Sequence, residues 1–210
     1  MHELFPASYY IEGQTDFFVC PVCYQQSEIK YSFSIDVPDT TNGAYVGFSN
    51  VTCAHCGEEM VRIDRVLINS IIVMNKAGIS TTGCCEGHCN RLYGSFTNKN
   101  LESYIGPWID INADNKIAIV ALANAINNRK DLHIELDVTG AGIRFSCPVC
   151  VDEEDHEKFS VFNGIDYLQN KYEKDLKNAQ LEFLDFVDSF VEEYRKLTKY
   201  YSQNFPINSK

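Results

Sequence analysis

The sequence predicts a protein of the α+β class, with α/β as the alternative class. Three features support this prediction. Three stretches place apolar residues at the i, i+3 and i+4 spacing of helices, and two others alternate apolar and polar residues as strands do. Two pairs of cysteines near the N-terminus have the spacing of metal ligands. We therefore expect a small mixed sheet with packed helices, an N-terminal metal-binding module and a long C-terminal amphipathic helix.

The composition restricts the class of protein further. The chain has 210 residues, of which 45% are hydrophobic and 22% are charged, as in ordinary globular proteins. Its net charge of −11 argues against nucleic-acid binding through a broad basic face. The first residues lack the regions of a secretory signal, and no apolar stretch is long enough to span a bilayer. We therefore expect a cytoplasmic protein with no membrane partner.

We divide the chain into three segments. Residues 1–60 form the metal-binding module, 61–160 an α/β core with a cysteine-rich loop, and 161–210 the C-terminal helix and tail. The sheet of the core is expected to contain the strands 79–82, 104–111, 132–138 and 143–147, packed against helices 61–77 and 115–127.

Short strands are predicted for the first segment. Phe17–Val19 leads into the first cysteine pair, and Ile29–Ile35 alternates with a period of two residues. The residues from Asp39 to Gly43 are typical of a turn. We expect Tyr45–Val51 to be the returning strand.

The helices of the core have recognisable ends. Val61–Ala77 carries one apolar face, and Gly78 follows it at the position that favours a left-handed residue. A second helix is predicted over Asn115–Asn127, with Asp114 as its N-cap.

A hairpin and a long helix complete the predicted elements. His133–Thr139 and Ile143–Ser146 alternate on either side of the turn Gly140–Gly142. From Gly164 to Tyr200, apolar residues recur every three or four positions with no interior proline or glycine. We expect one long amphipathic helix or two nearly continuous ones, which either cover the sheet or pair with another helix.

The two N-terminal cysteine pairs predict a metal site. A Cys-x-x-Cys turn presents two thiolates from one knuckle, and two knuckles complete the tetrahedral site that Zn²⁺ prefers. Residues 18–60 resemble the zinc-ribbon class, with Cys20, Cys23, Cys53 and Cys56 as ligands. A redox dithiol is the alternative. Zinc ribbons bind nucleic acid, bind proteins or hold a chain end in place, and four thiolates leave the metal no open position for catalysis.

A third knuckle, Cys147-Pro-Val-Cys150, supplies two further thiolates. A second zinc site would combine this pair with two ligands from the loop at residues 84–89: Cys85 and His88, with Cys84 or Cys89 as alternative ligands. In other interpretations, the loop cysteines are small buried hydrophobic residues, or one of them is a reactive thiol activated by the histidine. A swapped pairing, in which the first knuckle joins the third, is a further alternative.

The loop from Asn75 to His88 resembles a pattern found in uncharacterised bacterial and phage proteins, N-x-x-G-[IY]-x-T-x-x-C-C-x-G-H. It is more distantly similar to the S-C-S-G-R signature of the wybutosine-synthesis tRNA methyltransferases, the matching residues being Thr82, Cys85, Glu86, Gly87 and His88. This chain departs from that family at His88, where an arginine is expected. The likeness covers about 20 of the 210 residues. It implies a nucleotide- or RNA-modifying enzyme with Cys85, Glu86 and His88 as candidate catalytic residues.

Taken together, these features predict a zinc-binding intracellular protein that acts by binding a macromolecular partner. The acidic charge favours a protein as that partner. The resemblance to phage proteins implies a phage or mobile-element protein that interferes with a host factor. Two alternatives stand beside this prediction: a modifying enzyme with its site at the 84–89 loop, and a zinc ribbon that binds nucleic acid through a local basic patch.

Overall fold

The computed structural model describes residues 15–30, 51–87, 93–94, 103–139, 142–152, 154–155 and 165–205. The chain divides into two compact units, Met1–Arg65 and Val66–Lys210. Both helices and antiparallel sheets are present, which confirms the α+β class.

The elements are labelled in chain order. The strands are β1 (Thr15–Val19), β2 (Gln26–Lys30), β3 (Val61–Arg62), β4 (Thr81–Cys85), β5 (Tyr93–Gly94), β6 (Ser103–Ile105), β7 (Trp108–Ile111), β8 (Glu135–Thr139), β9 (Gly142–Ser146) and β10 (Val149–Cys150). The helices are α1 (Ile68–Ala77), α2 (Lys116–Asn128) and α3 (Ile165–Asn204). A single 3₁₀ turn, Arg65–Leu67, precedes α1.

The first unit contains a three-stranded antiparallel sheet in the order β2-β1-β3. The predicted start of the first helix at Val61 is wrong. Val61 and Arg62 form β3 and pair with β1 instead of beginning α1. The amide of Ile63 continues this pairing by donating to the carbonyl of Phe17. The predicted turn at 39–43 and most of the predicted strand at 45–51 lie outside the described residues.

The second unit is built around a four-stranded sheet in the order β4-β7-β9-β8. All three of its strand pairs are antiparallel, so the expected mixed sheet is wrong in this respect. Antiparallel pairing follows for β8 and β9 because the segment between them is too short for a crossover connection. The predicted strand at 104–111 is divided at Gly106-Pro107, and β6 joins a separate sheet with β5 and β10.

The ends of α1 and α2 are formed by local hydrogen bonds. After α1, the amide of Gly78 donates to Asn75 and that of Ile79 donates to Met74, which confirms the predicted C-terminal end. The N-cap of α2 is Asn115 and not Asp114, because the Asn115 side chain accepts from the amide of Ala118 at 3.1 Å. Asp114 belongs to the preceding turn, where its amide donates to Asn112.

The long helix α3 packs both on the sheet and alongside α1 and α2. Its Phe183, Phe186 and Phe190 surround Phe145 of β9, with ring centroids 5.4 to 5.8 Å apart. All four rings are fully buried, so this cluster is the centre of the core. None of the described helices combines the length and the apolarity that a bilayer crossing requires.

Candidate metal centre

The first cysteine knuckle follows β1 directly. The amide of Cys20 donates to the carbonyl of Gln25, and the amide of Tyr24 donates back to the carbonyl of Cys20 at 3.0 Å. These two bonds close a tight turn that points the Cys20 and Cys23 sulfurs to the same side. Tyr24 adopts a φ of 63° to complete the turn, a conformation that is uncommon for a residue with a side chain.

The second knuckle is closed by the same pattern of backbone hydrogen bonds. The amide of Cys53 donates to Glu58, and the amide of Gly57 donates to the carbonyl of Cys53 at 2.9 Å. Gly57 has a φ of 80° and occupies the position of Tyr24 in the first knuckle. The glycine after the second pair was visible in the sequence, but no signal there marked the equivalent role of Tyr24.

The two knuckles bring their four sulfur atoms together. The Cys20 and Cys56 sulfurs are 3.4 Å apart, those of Cys23 and Cys53 are 3.5 Å apart, and those of Cys23 and Cys56 are 3.7 Å apart. All four lie within 4.8 Å of one another. Zn–S bonds of about 2.3 Å place the sulfurs of a tetrahedral site about 3.8 Å apart. The four sulfurs could therefore hold a tetrahedral metal ion, and in this geometry the first knuckle faces the second.

The same geometry shifts the pKa values of the four thiols in different directions. The backbone N–H of Cys23 lowers the pKa of Cys20 to about 6, and the N–H groups of Cys56 and His55 lower the pKa of Cys53. The amide of Glu58 acts in the same direction on Cys56, but the sulfurs of Cys20, Cys23 and Cys53 together with burial outweigh it, and the pKa of Cys56 rises to about 12. Four thiolates at this spacing repel one another, so a cation at their centre is needed for all four to ionise.

Replacing Gly57 by alanine is expected to weaken metal binding roughly tenfold. The added Cβ meets no atom within 4 Å, so the whole effect comes from the left-handed backbone, which costs an L-residue about 1–2 kcal/mol. Metal affinity is measured by competition with a chromogenic chelator. Ala54→Ser, at another exposed position of the same knuckle, is the control and should bind as the wild type does. Equal affinity of both variants would contradict the assigned role of Gly57.

The remaining cysteines lie in the second unit. Cys84 and Cys85 end β4, Cys147 follows β9, and Cys150 ends β10. In the sheet register Cys85 faces Trp108, and Trp108 in turn faces Ser146, so the two cysteine segments approach the same end of the sheet.

Among the described residues, only the Cys20 group gathers three or more potential ligand atoms. Cys85, Cys147 and Cys150 therefore do not form such a cluster by themselves. Burial, together with the charge of Glu182, raises the pKa of Cys147 to about 12. His88 and Cys89 lie outside the described residues, and the second metal site stays a prediction.

Glu86 has a structural role that the sequence did not reveal. Its carboxylate accepts from the amide of Val66 at 3.1 Å, at the 3₁₀ turn that leads into α1. Its carbonyl accepts from the side chain of Gln180 on α3 at 2.9 Å. Of the candidate catalytic residues, Cys85 is buried against Trp108, and His88 is not described. Glu86 thus holds a helix start that is twenty positions away in sequence, a distance over which no local motif signals a contact.

The four-stranded sheet also carries a polar cluster that was not predicted from the sequence. Arg144 donates to both carboxylate oxygens of the buried Asp110, at 2.8 and 2.9 Å. Its guanidinium carbon also lies 3.7 Å from the centre of the Trp108 ring. Bidentate pairing and stacking on an aromatic face are both contacts that guanidinium makes well. The sequence contains one sign of this cluster, because residues two apart on a strand, such as Trp108 and Asp110 of β7, lie on the same face.

Searches of protein-family models, of curated proteins and of solved structures find no match to this chain. The candidate site is therefore defined by its geometry alone.

Proposed function

We propose that this chain is a zinc-binding protein in which the metal at Cys20, Cys23, Cys53 and Cys56 is structural, and that it acts by binding another protein. The observation that carries the zinc assignment is the tetrahedral spacing of the four sulfurs. Thiolate ligands at this spacing select zinc over the hard cations Mg²⁺ and Ca²⁺. Since all four positions are filled by protein, no coordination site is left for a substrate.

A protein partner is favoured by the charge of the chain. A net charge of −11 repels the phosphate backbone, so nucleic-acid binding would need a strong local basic surface to overcome it. An acidic surface suits a basic protein, including a host factor that normally binds nucleic acid. This agrees with the phage or mobile-element origin that the loop resemblance implies. The enzyme alternative is less supported, because Glu86 is engaged with the amide of Val66 and Cys85 is buried.

The zinc proposal is tested by native mass spectrometry with elemental analysis. We expect one zinc per chain in the wild type, and none in a variant with Cys20→Ser and Cys23→Ser. The matched variant, Cys147→Ser with Cys150→Ser, tests the second site. Two zinc ions per chain in the wild type and one in this variant would establish that second site. Metal-free wild-type protein that remains folded would overturn the structural assignment.

The partner proposal needs a separate measurement. Affinity-tagged chain is recovered from cells after nuclease treatment and washed at moderate salt. We expect a protein retained in stoichiometric amount and lost when the Cys20 and Cys23 ligands are replaced. Binding of oligonucleotides with a steep salt dependence would instead support the nucleic-acid alternative.

A further inference from the structure

One edge of the four-stranded sheet is formed by β8. Among the described strands, β8 pairs with β9 on one side and no strand pairs with its other side. Such an edge presents a row of backbone N–H and C=O groups to an incoming strand. Edges that resist pairing commonly carry lysine or proline, and β8, with the sequence Glu-Leu-Asp-Val-Thr, has neither. The edge is therefore suited to accept a further strand.

The strand register identifies the backbone groups that face this edge. The amide of Cys147, just beyond β9, donates to a carbonyl just before β7. Successive residues of a strand bond to opposite neighbours, so Arg144 of β9 bonds to the β8 side, where its partner is Asp137. The residues on either side of Asp137 are Leu136 and Val138. Their N–H and C=O groups therefore point away from β9, toward the open edge.

The side chains of Leu136 and Val138 are exposed as well. Leu136 is the register partner of Phe145, and Val138 lies two residues further along, so both share the sheet face of that buried ring. The phenylalanines of α3 cover this face at Phe145, but Leu136 and Val138 remain 42% and 82% exposed. An apolar side chain on a strand beside β8 would bury surface against them.

The opposite face of β8 is acidic. Glu135 and Asp137 alternate with the apolar residues and lie together on this face. Asp137 is buried, and its Oδ1 atom has no hydrogen-bond partner among the described residues. A buried oxygen in this state is costly unless a donor reaches it. Side chains opposite one another on paired strands have Cβ atoms about 4.5–5.5 Å apart, so a lysine or arginine on an added strand is close enough to donate.

We propose that β8 binds an extended segment of a partner protein as an additional strand, and that this segment alternates apolar residues with lysine or arginine. Its backbone bonds to the outward N–H and C=O groups of Leu136 and Val138. Its basic side chains meet Glu135 and Asp137. Strand addition of this kind gives affinity through main-chain bonds and selectivity through alternate side chains. The inference rests on the proposed function, since it assigns the surface that holds the partner protein.

A second copy of this chain is a poorer occupant of the edge than a basic segment. Self-pairing of β8 would gather the two carboxylates of each copy on one face of the joined sheet, and like charges on neighbouring strands are destabilising. The net charge of −11 adds to this repulsion. The same carboxylates attract a basic segment, so binding should weaken as salt is added.

The test uses the full-length, zinc-loaded chain and two fluorescent peptides, one alternating valine with lysine and the other valine with glutamate. The glutamate peptide should bind at least tenfold more weakly than the lysine peptide. Val138→Pro should weaken binding of the lysine peptide at least tenfold, because it removes an N–H that faces the added strand and none that bonds to β9. Val138→Thr keeps this N–H and a branched side chain, and should bind within about threefold of the wild type.

Amide exchange followed by NMR gives a second readout on the wild-type chain itself. When the lysine peptide is bound, the amides of Leu136 and Val138 should gain protection from exchange. The amide of Asp137 lies between them but bonds to β9, so its protection should change little. This alternation separates strand addition from non-specific attraction of a basic peptide to an acidic protein.

Several results would overturn the inference: no binding of the lysine peptide, equal binding by the wild type and Val138→Pro, or no alternation in the exchange data. A wild-type dimer that Val138→Pro converts to monomer in sedimentation velocity would also overturn it, because β8 would then pair with itself. If a partner recovered from cells binds Val138→Pro as tightly as the wild type, the proposed function stands and the surface assigned here is wrong. If the peptide results hold but no partner is retained, the inference stands and the proposed function fails.

Discussion

Removing the metal is expected to unfold the first unit while the second unit stays folded. The core of the first unit is small, formed by Phe18 and Met60 together with Cys20 and Cys53. Two of these four residues belong to the proposed ligand set, so we expect the metal and the core to be lost together. Structural zinc contributes on the order of 10 kcal/mol to domains of this kind, whereas so few apolar side chains contribute much less. Hydrogen exchange before and after addition of a strong chelator should show protection lost from β1 to β3.

The Cys20→Ser variant should behave as the chelated protein does, and His55→Ala is its control. His55 lies in the second knuckle but is exposed and is not among the four clustered ligands. Acidification should also release the metal, because zinc binds thiolates and protons compete for them. Chelated protein that keeps its amide protection in β1 would show that the strands fold without the metal.

Replacing Phe145 by alanine is expected to lower the free energy of unfolding of the second unit by about 3–5 kcal/mol. The side chain is fully buried and contacts three phenylalanine rings of α3, at centroid distances of 5.4 to 5.8 Å. Alanine would leave a cavity that these rings can fill only by moving the helix that carries them. Urea denaturation of zinc-loaded protein, followed by circular dichroism of the α3 signal, gives the change in free energy.

The control for this variant is the residue that pairs with Phe145 on the neighbouring strand. Leu136 faces Phe145 in the pairing of β8 with β9, but its side chain is 42% exposed. Leu136→Ala should therefore cost less than about 1.5 kcal/mol, because a large part of the removed surface was already exposed to solvent. If both substitutions cost the same, the aromatic cluster is not the centre of the core.

The local features of this protein could be predicted from short stretches of sequence. The knuckle spacing placed Cys20 with Cys23, and Cys53 with Cys56, since each pair is set within four residues. The end of α1 at Gly78 was predicted because a left-handed glycine closes a helix by bonds to the turn just before it. Periodicity also located the strands β8 and β9 and the helix α3 to within a few residues.

The errors arose where one element meets another. Ile63 fits the apolar stripe of the predicted helix, yet its amide is used by β1, which is more than forty residues earlier. Asp114 and Asn115 are both good caps by residue type, and the turn at Asn112 decides between them. The strand at 104–111 is divided because Gly106-Pro107 interrupts the ladder between two different sheets.

The sequence by itself determined the α+β class, the cysteine pairs of the candidate metal centre and the amphipathic character of α3, because these follow from spacing along a single segment. Only the tertiary structure decided which knuckles bring their sulfurs together, that Glu86 holds the start of α1, and that the apolar stripe of α3 extends past the core that covers it. These outcomes depend on packing between segments distant in the chain. Many arrangements of such contacts suit the same local pattern, and burial and hydrogen bonding in the folded protein select one of them.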